Sequence, residues 1–282
     1  MILEIGKKAT LRVVKELDFG IYLDGGPYGE ILLPIKQVPE DTEPEDKLEV
    51  FIYCDSEDRL IATTLTPKAM VGEFAFLEVV DTNEFGAFLD WGIPTKHLFV
   101  PFKEQVDDMK IGRSHIVYIY LDEKTDRIVG SCRLNRYIEQ EAEGFEAGQK
   151  VDILVAKRTE MGFKAIVNGE FTGVLYQNEL FKPVKVGDKL TAFVKKVRND
   201  KKLDLSLQRQ GFRAMIDPAS DKILAKLEES NGYLPLTDKS PPPVIYEVFQ
   251  MSKKAFKKAI GNLYKQKAIN IAKDGIYLMK RK

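Results

Sequence analysis

The residues of this sequence best placed to do chemistry are lysines that recur at helical spacing near its C-terminal end. The run SKKAFKKAIGNLYK predicts a helix from Ser252, its N-cap, to about Lys267, with Phe256, Ala259, Ile260 and Leu263 on its apolar face. The opposite face carries Lys253, Lys254, Lys257, Lys258 and Lys265. Such a face attracts phosphates, and without Arg, Asn or Gln in the first turns it favours phosphate contact over base readout. The alternative, a merely solvated lysine face, stays open.

Thiol, imidazole and carboxylate chemistry has little support in the sequence. Cys54 and Cys132 lie in strand-like runs, where a small buried side chain is the ordinary interpretation and a disulfide is disfavoured. His97 and His115, the only histidines, show no metal-ligand spacing with cysteine. The acidic run at 40–49 contains proline and indicates a solvated loop. We therefore expect no enzyme activity, no cofactor, no metal and no small-molecule substrate.

Length and composition bound the class of protein. A chain of 282 residues suits two to four small domains. Hydrophobic residues make up 44% and charged residues 30%, and no apolar run approaches the ~18–20 residues that a membrane-spanning helix needs. The N-terminal residues alternate like a strand and lack the order of a secretory signal. We expect a cytoplasmic protein that does not bind membranes.

The charge is balanced overall but unevenly distributed along the chain. The 43 basic and 43 acidic residues cancel. By segment, however, the net charge is −7 over 1–66, −3 over 67–140, +3 over 141–210 and +7 over 211–282. This gradient directs an anionic partner toward the C-terminal half. Pairing between opposite charges of the two halves is the alternative.

A repeat occupies the first 210 residues. Three glycine pairs share a spacing of fourteen: Gly6 and Gly20, Gly72 and Gly86, Gly148 and Gly162. Each pair brackets an alternating apolar run, and shorter alternating runs follow, so five strands are predicted per ~65 residues. Five short antiparallel strands with glycines at bends are typical of an OB-type Greek-key barrel.

Parts of the second and third repeats resemble the S1 RNA-binding domain. The matching stretches are FGAFLD at 85–90, GVLYQNELF at 173–181, VGDKL at 186–190 and KKLDLSLQ at 201–208. In that family, aromatic residues around the FGAF strand and the residue after the G-L-V run lie on the nucleic-acid-binding face. The resemblance therefore implies binding roles for Phe19 and Tyr22 in the first repeat and for Phe85 and Phe88 in the second.

The third repeat departs from this pattern. Met161 and Lys164 replace the aromatic pair, and Tyr176 stands where the family often has histidine, whereas Pro34 and Pro101 lie near that place in the first two repeats. Cations accompany Tyr176, so base stacking and phosphate attraction can coincide. They are Lys157, Arg158, Lys164, Lys195, Lys196 and Arg198. The alternatives are that the aromatics cap the barrels or pack against a neighbouring module, and that the cations are a solvated surface.

The C-terminal region changes from strand to helical periodicity. A first helix is predicted over about 219–230, a proline-rich break at 241–243 precedes a short helix in VIYEVF, and the lysine-bearing helix follows. Asp274-Gly275 predicts a closing hairpin. Three helices and a hairpin are similar to a winged-helix domain, in which the third helix usually contacts nucleic acid.

Three S1-like barrels followed by a winged helix resemble the conserved virulence factor B family, also called the YitL family, of bacterial RNA-binding proteins. The predicted fold class is mainly β with a C-terminal α+β domain. The expected domains are barrels at 1–66, 67–133 and 147–210, a linker at 134–146 and the winged helix at 211–282. The resemblance implies a non-catalytic cytoplasmic protein that acts on gene expression after transcription.

The favoured partner is single-stranded RNA, bound mainly by residues 147–282. Unpaired bases can stack on barrel aromatics, whereas an A-form duplex hides its base edges in a narrow groove. Two alternatives stay open. One is a DNA-binding transcription regulator led by the winged helix, and the other is a translation-associated factor that contacts ribosomal components.

Overall fold

The computed structural model describes residues 3–139, 141–180, 183–208, 218–265 and 268–279. Three closed five-stranded barrels are followed by a domain of three helices and a three-stranded sheet, which confirms the predicted fold class. Among the helices of these ranges, none combines the length and apolar character needed to cross a membrane.

The fifteen barrel strands match the five runs expected in each repeat. The first barrel contains β1 (Lys8–Leu17), β2 (Gly20–Asp24), β3 (Glu30–Pro34), β4 (Lys47–Cys54) and β5 (Leu60–Thr63). The second contains β6 (Phe74–Asn83), β7 (Gly86–Leu89), β8 (Leu98–Pro101), β9 (Ser114–Asp122) and β10 (Arg127–Ser131). The third contains β11 (Lys150–Thr159), β12 (Gly162–Val167), β13 (Phe171–Tyr176), β14 (Lys189–Val197) and β15 (Leu203–Ser206). In each barrel the strands follow the order first, second, third, fifth, fourth, and the third and fifth are parallel.

The second glycine of each pair opens the second strand, where the backbone of the third strand passes very close. A Cβ on Gly20, Gly86 or Gly162 would lie 2.3, 2.3 or 2.0 Å from the carbonyl oxygen of Leu33, Val100 or Leu175, respectively. Any side chain there would force the two strands apart. The fourteen-residue spacing therefore marks a close backbone approach that only glycine allows.

The first strand of each barrel carries a β-bulge that the sequence analysis did not anticipate. The register shifts between Val13 and Lys15 in β1, and at the equivalent places in β6 and β11. A bulge bends a strand and increases its twist, which lets one long strand pair with two neighbours around a small barrel.

The first two barrels share an interface built on aromatic side chains. Phe51 of β4 lies edge-on to Trp91 with ring centroids 5.6 Å apart, and both side chains are fully buried. Lys96 Nζ donates to the Asp55 carbonyl at 2.8 Å, and Arg127 forms an ion pair with Asp58 across the same junction. The shared core holds these two barrels together.

The second and third barrels are also packed together. A buried cluster joins Phe74 and Ile116 of the second barrel to Leu154 and Ile166 of the third. Tyr137, just beyond the second barrel, stacks on Tyr118 at 4.0 Å between centroids. The segment between these barrels is therefore a packed connection over its described part.

The C-terminal domain has the winged-helix order. Its elements are α1 (Pro218–Glu229), β16 (Tyr233–Leu234), α2 (Pro242–Phe249), α3 (Lys253–Lys265), β17 (Ile269–Ile271) and β18 (Ile276–Leu278). The Ser252 hydroxyl accepts the Ala255 N–H at 3.2 Å, as expected of an N-cap. All four residues of the predicted apolar face of α3 are buried. The sequence analysis missed β16, which pairs with β18, and residues 266–267 of the expected third helix lie outside the described residues.

The structure also bears on the two cysteines and on the acidic run at 40–49. Both cysteines are free and half-buried, and burial raises the pKa of the Cys132 thiol to about 12. The acidic run at 40–49 forms turns up to Asp46, but its last three residues begin β4, so the prediction of a loop was wrong for Lys47 to Glu49.

Candidate nucleic-acid interface

Each barrel presents an exposed side chain in the turn between its first and second strands. Phe19, Phe85 and Met161 directly precede the close-approach glycine and are 54%, 64% and 61% exposed. The three positions are structurally equivalent. Large apolar groups held in water at a turn are available to a ligand.

Strand register places the other candidate positions beside this turn. Tyr22, Phe88 and Lys164 occupy one equivalent site on the second strand, opposite Leu32, Phe99 and Val174. Pro34, Pro101 and Tyr176 occupy a second equivalent site, each opposite the close-approach glycine. The three barrels thus carry the same face with different chemistry.

The face of the first barrel is aromatic, and the lysine beside its tyrosine is paired. Phe19 and Tyr22 meet edge to face at 6.3 Å between centroids. Lys15 Nζ lies 4.8 Å from the centre of the Tyr22 ring and also pairs with Glu30 at 2.5 Å. This face offers stacking, and the charge of Lys15 is balanced by Glu30.

The face of the second barrel opens into a groove of about 580 Å³ that reaches the first barrel. Phe88 packs on Phe99 at 5.2 Å, and Phe85 lies at the groove edge. Sequence reasoning missed Phe99. The alternation of LFVP, in which Leu98 and Val100 are buried, could have placed it on the outer face.

The face of the third barrel joins one aromatic residue to several cations. The Tyr176 hydroxyl donates to Asp204 Oδ1 at 3.0 Å, and this hydrogen bond to a carboxylate raises the pKa of Tyr176. Arg198 also interacts with Tyr176. Lys195 lies close enough to Tyr176 and Asp204 to interact with them electrostatically. It also forms an ion pair with Glu179 at 2.5 Å, which raises the pKa of Lys195.

Three lysines, Lys157, Lys164 and Lys202, lie close together on the third barrel. Lys157 and Lys164 are direct cross-strand partners on β11 and β12. Burial, followed by the charges of Lys202 and Lys157, lowers the pKa of Lys164. Sequence reasoning missed Lys202, although it stands in the loop that follows Arg198.

Two further candidates of the third barrel lie differently. Lys196 is exposed and pairs in register with Asp204, close to Tyr176. Arg158 is exposed but is the cross-strand partner of buried Phe163, so it faces away from Lys157 and Lys164. The structure therefore does not bring Arg158 to the surface around Tyr176, Asp204 and Lys196, which we call the Tyr176 face.

The lysine face of α3 is open over most of its length. Lys254 and Lys258 are exposed, and no carboxylate of the described residues forms an ion pair with them. Lys257 lies 3.8 Å from Asp238, and Lys253 donates to the Lys239 carbonyl at 3.3 Å. The helix offers a row of charges suited to phosphates.

Among the residues that the structure describes, no group of three or more His, Cys, Asp or Glu side chains could hold a metal ion. The aromatic and cationic groups above carry the available chemistry, which is stacking and anion attraction.

Comparison with known proteins gives these faces a context. An S1 domain model matches residues 5–65 and 71–133, and a CvfB-like winged helix domain model matches 221–278. These are models of nucleic-acid-binding domains rather than of enzymes, and they support nucleic-acid binding by this chain.

Similar proteins cover nearly the whole chain. YitL of Bacillus subtilis is 32% identical over 274 residues, which is 92% of this chain and 89% of the relative. Conserved virulence factor B of Staphylococcus epidermidis is 28% identical, covering 98% and 95%. A crystal structure of a multidomain protein with nucleic acid binding domains from Streptococcus pneumoniae is 25% identical, covers 98% of each chain and has a TM-score of 0.44. With its S1 domains, its CvfB-like winged helix and relatives matched end to end, the chain belongs to the conserved virulence factor B (YitL) family.

Proposed function

We propose that the protein binds single-stranded RNA without catalysis and thereby influences gene expression after transcription. The observation that carries the proposal is the third barrel's face, where Tyr176 stands among Arg198, Lys195 and the Lys157–Lys164 pair. An aromatic ring among cations is the combination that single-stranded nucleic acid requires, because bases stack while phosphates are neutralised.

The form of the face favours single strands over duplexes. Tyr176 can stack only on a base whose face is uncovered, and bases in an A-form duplex are already stacked on one another. The exposed Met161 at the adjacent turn adds apolar contact area. An unpaired nucleic acid is therefore the ligand whose groups match this surface, and the resemblance to the S1 RNA-binding domain favours RNA.

The winged helix contributes phosphate contacts in this proposal. Lys254 and Lys258 lie one turn apart on the exposed side of α3, so both can reach one backbone. Lysine is a point charge without the fork that reads a base edge. The helix therefore adds affinity and salt dependence with little sequence preference.

Fluorescence anisotropy tests the proposal. A mixed-sequence single-stranded RNA, the matching single-stranded DNA and a DNA duplex are titrated at several salt concentrations with the wild type and Lys254→Ala/Lys258→Ala. Single-stranded RNA should bind best, and the variant should flatten the log–log salt dependence by about 0.7 per lost phosphate contact. Lys222→Ala/Lys226→Ala on α1 removes the same charge and should leave the slope unchanged.

Other results would favour the alternatives. A clear preference for the DNA duplex would support a winged-helix transcription regulator. Co-sedimentation with ribosomes after nuclease treatment would support a translation-associated factor. A wild type that binds none of the three probes at moderate salt would overturn the proposal.

The domain limits and the cellular location belong to the same proposal. We assign barrels to 1–66, 67–133 and 147–210, a linker to 134–146 and the winged helix to 211–282, and limited proteolysis would test these limits. A role on transcripts requires a cytoplasmic protein, which cell fractionation would test.

A further inference from the structure

A second cationic surface lies at the junction of the second and third barrels. A cleft of about 660 Å³ separates the segment that leaves the second barrel from strands β11 and β12 of the third. We call it the junction cleft and define it by Arg133, Asn135, Arg136, Lys157 and Lys164, which are among its lining residues. None of the binding roles expected from the sequence involves the first three of these residues.

The floor of the junction cleft is apolar and belongs to the buried cluster between the barrels. Ile116, Ile138 and Ile166 line it. Charges above an apolar floor are screened less than charges in open water, so each cation there attracts an anion more strongly. The carboxylate that lines the cleft is Asp107, against four basic side chains.

Two of the four cations belong to the third barrel and have no ion-pair partner among the described residues. Lys164 Nζ donates to the neutral Asn135 Oδ1 at 3.0 Å, which orients the ammonium group without neutralising it. In the described part of the chain no carboxylate forms an ion pair with Lys157 or Lys164. These two ammonium groups are cross-strand neighbours, and a bound anion would relieve their repulsion.

The other two cations are held in place by the second barrel. Arg133 Nε donates to the Lys103 carbonyl at 2.6 Å, which leaves the rest of its guanidinium available. Arg136 lies 3.4 Å from Glu104, a buried carboxylate that also accepts the Ser131 hydroxyl at 2.6 Å. The junction cleft is therefore built from both barrels, and neither supplies it alone.

The cleft is continuous with the Tyr176 face. Lys157, Lys164, Val174 and Asp204 follow one another across β11, β12, β13 and β15. Neighbouring strands are about 4.8 Å apart, so this row spans about 14 Å, within the reach of the ~4–16 nucleotides that one OB fold binds. An RNA strand with a base stacked on Tyr176 can thus continue directly into the cleft.

We propose that the junction cleft binds backbone phosphates of the same RNA strand whose bases stack on the third barrel, with Arg133, Lys157 and Lys164 as the contacts. The inference rests on the proposed function and extends it to the second barrel. RNA then bridges the two barrels, although the second barrel carries net negative charge.

Anisotropy with a 12-nucleotide single-stranded RNA tests the cleft separately from RNA binding as such. The full-length Arg133→Gln/Lys157→Gln variant should bind on the order of tenfold more weakly at 0.1 M salt, with a salt slope flatter by about 1.4. Arg133→Gln alone should give about half of the slope change, and because Arg133 is not part of the third barrel's binding face, that loss is specific to the cleft. Arg133→Lys keeps the charge, should restore most of the slope and guards against misfolding. Lys110→Gln/Lys150→Gln removes the same charge from exposed sites outside the cleft and serves as the matched control.

The outcomes separate the two proposals. If the wild type binds RNA and Arg133→Gln matches the control, the cleft inference is wrong while the proposed function stands. If the wild type binds no single-stranded RNA, both are wrong. Loss of affinity and of salt slope in Arg133→Gln, with the control unchanged, supports the junction cleft.

Discussion

Tyr176 is the aromatic residue of the third barrel's face, and a hydrogen bond holds its hydroxyl group in place. Its hydroxyl donates to Asp204, so the ring has a defined orientation before any ligand arrives. A ring already held in place loses less conformational entropy when a base stacks on it. The equivalent positions of the other barrels are Pro34 and Pro101, which offer no ring of this kind.

Substitution of Tyr176 should separate stacking from hydrogen bonding. Tyr176→Leu removes the ring and should weaken single-stranded RNA binding by about 1–3 kcal/mol. Tyr176→Phe keeps the ring and should lose only a small part of that. Tyr28→Leu removes an exposed tyrosine from the first barrel and is the control. Anisotropy measures all three, and an equal loss for Leu and Phe would contradict a stacking role.

Lys164 should make RNA affinity depend on pH below the usual lysine range. Burial and two lysine neighbours lower its pKa, so its charge is lost first as pH rises. Phosphate binds the charged form of the lysine. As pH rises, RNA affinity should therefore begin to decrease before the pH reaches 10.5, the ordinary pKa of lysine. Lys164→Arg stays charged and should remove this early decrease. Anisotropy between about pH 8 and 10 measures it, and identical profiles for wild type and variant would contradict the assignment.

The same shift has the opposite sign for folding stability. A lowered pKa means that the unfolded chain binds more protons than the folded chain between the two pKa values. The contribution of Lys164 to stability therefore rises with pH through that window, while RNA affinity falls. This divergence is expected of a cation that is retained for binding at a cost to the fold.

At the scale of elements, the turn into the second strand depends on its glycine. Gly162→Ala would place a Cβ 2.0 Å from the Leu175 carbonyl oxygen at a φ of +147°, and should destabilise the third barrel by about 2–5 kcal/mol. Gly261 in α3 has ordinary φ and open space around it. Gly261→Ala should therefore stabilise the winged helix by about 0.5–1 kcal/mol. Urea unfolding measures both, and two changes of the same sign would contradict this account.

Elements with a strong local signal were predictable from the sequence. The barrel strands followed from period-two alternation, and the winged-helix helices followed from their apolar stripes and prolines. The two-residue strand β16 has no periodicity to detect, and its existence depends on pairing with the distant β18. The bulges of β1, β6 and β11 were also missed, because a register shift is decided by both neighbouring strands.

At the scale of the whole molecule, the contacts between modules were the part that the sequence could not supply. Phe51 reads as an ordinary strand residue, yet it packs into the core of the second barrel beside Trp91. Arg133 is the last residue of the predicted second barrel and Arg136 lies in the predicted linker, yet both line the junction cleft with Lys157. Both facts depend on how one folded barrel sits on the next, which local periodicity does not encode.

These contacts predict how the molecule unfolds. Trp91 is the only tryptophan and is buried against Phe51, so its fluorescence reports on the joined first and second barrels. All three α-helices of the described residues lie in the winged-helix domain, which has its own core, so circular dichroism at helical wavelengths reports on that domain. Modules with separate cores unfold separately, and the two signals should give different urea midpoints.

A substitution at the first interface sharpens this expectation. Phe51→Ala opens a cavity beside Trp91 and should cost about 3–5 kcal/mol, which lowers the tryptophan midpoint. The helical midpoint should stay where it is, because Phe51 makes no contribution to the winged-helix core. Phe256→Ala, inside that core, is the reciprocal variant and should move only the helical signal. A single transition that shifts with both variants would show that the barrels and the winged helix fold as one cooperative unit, and each domain's binding surface would then depend on the other's stability.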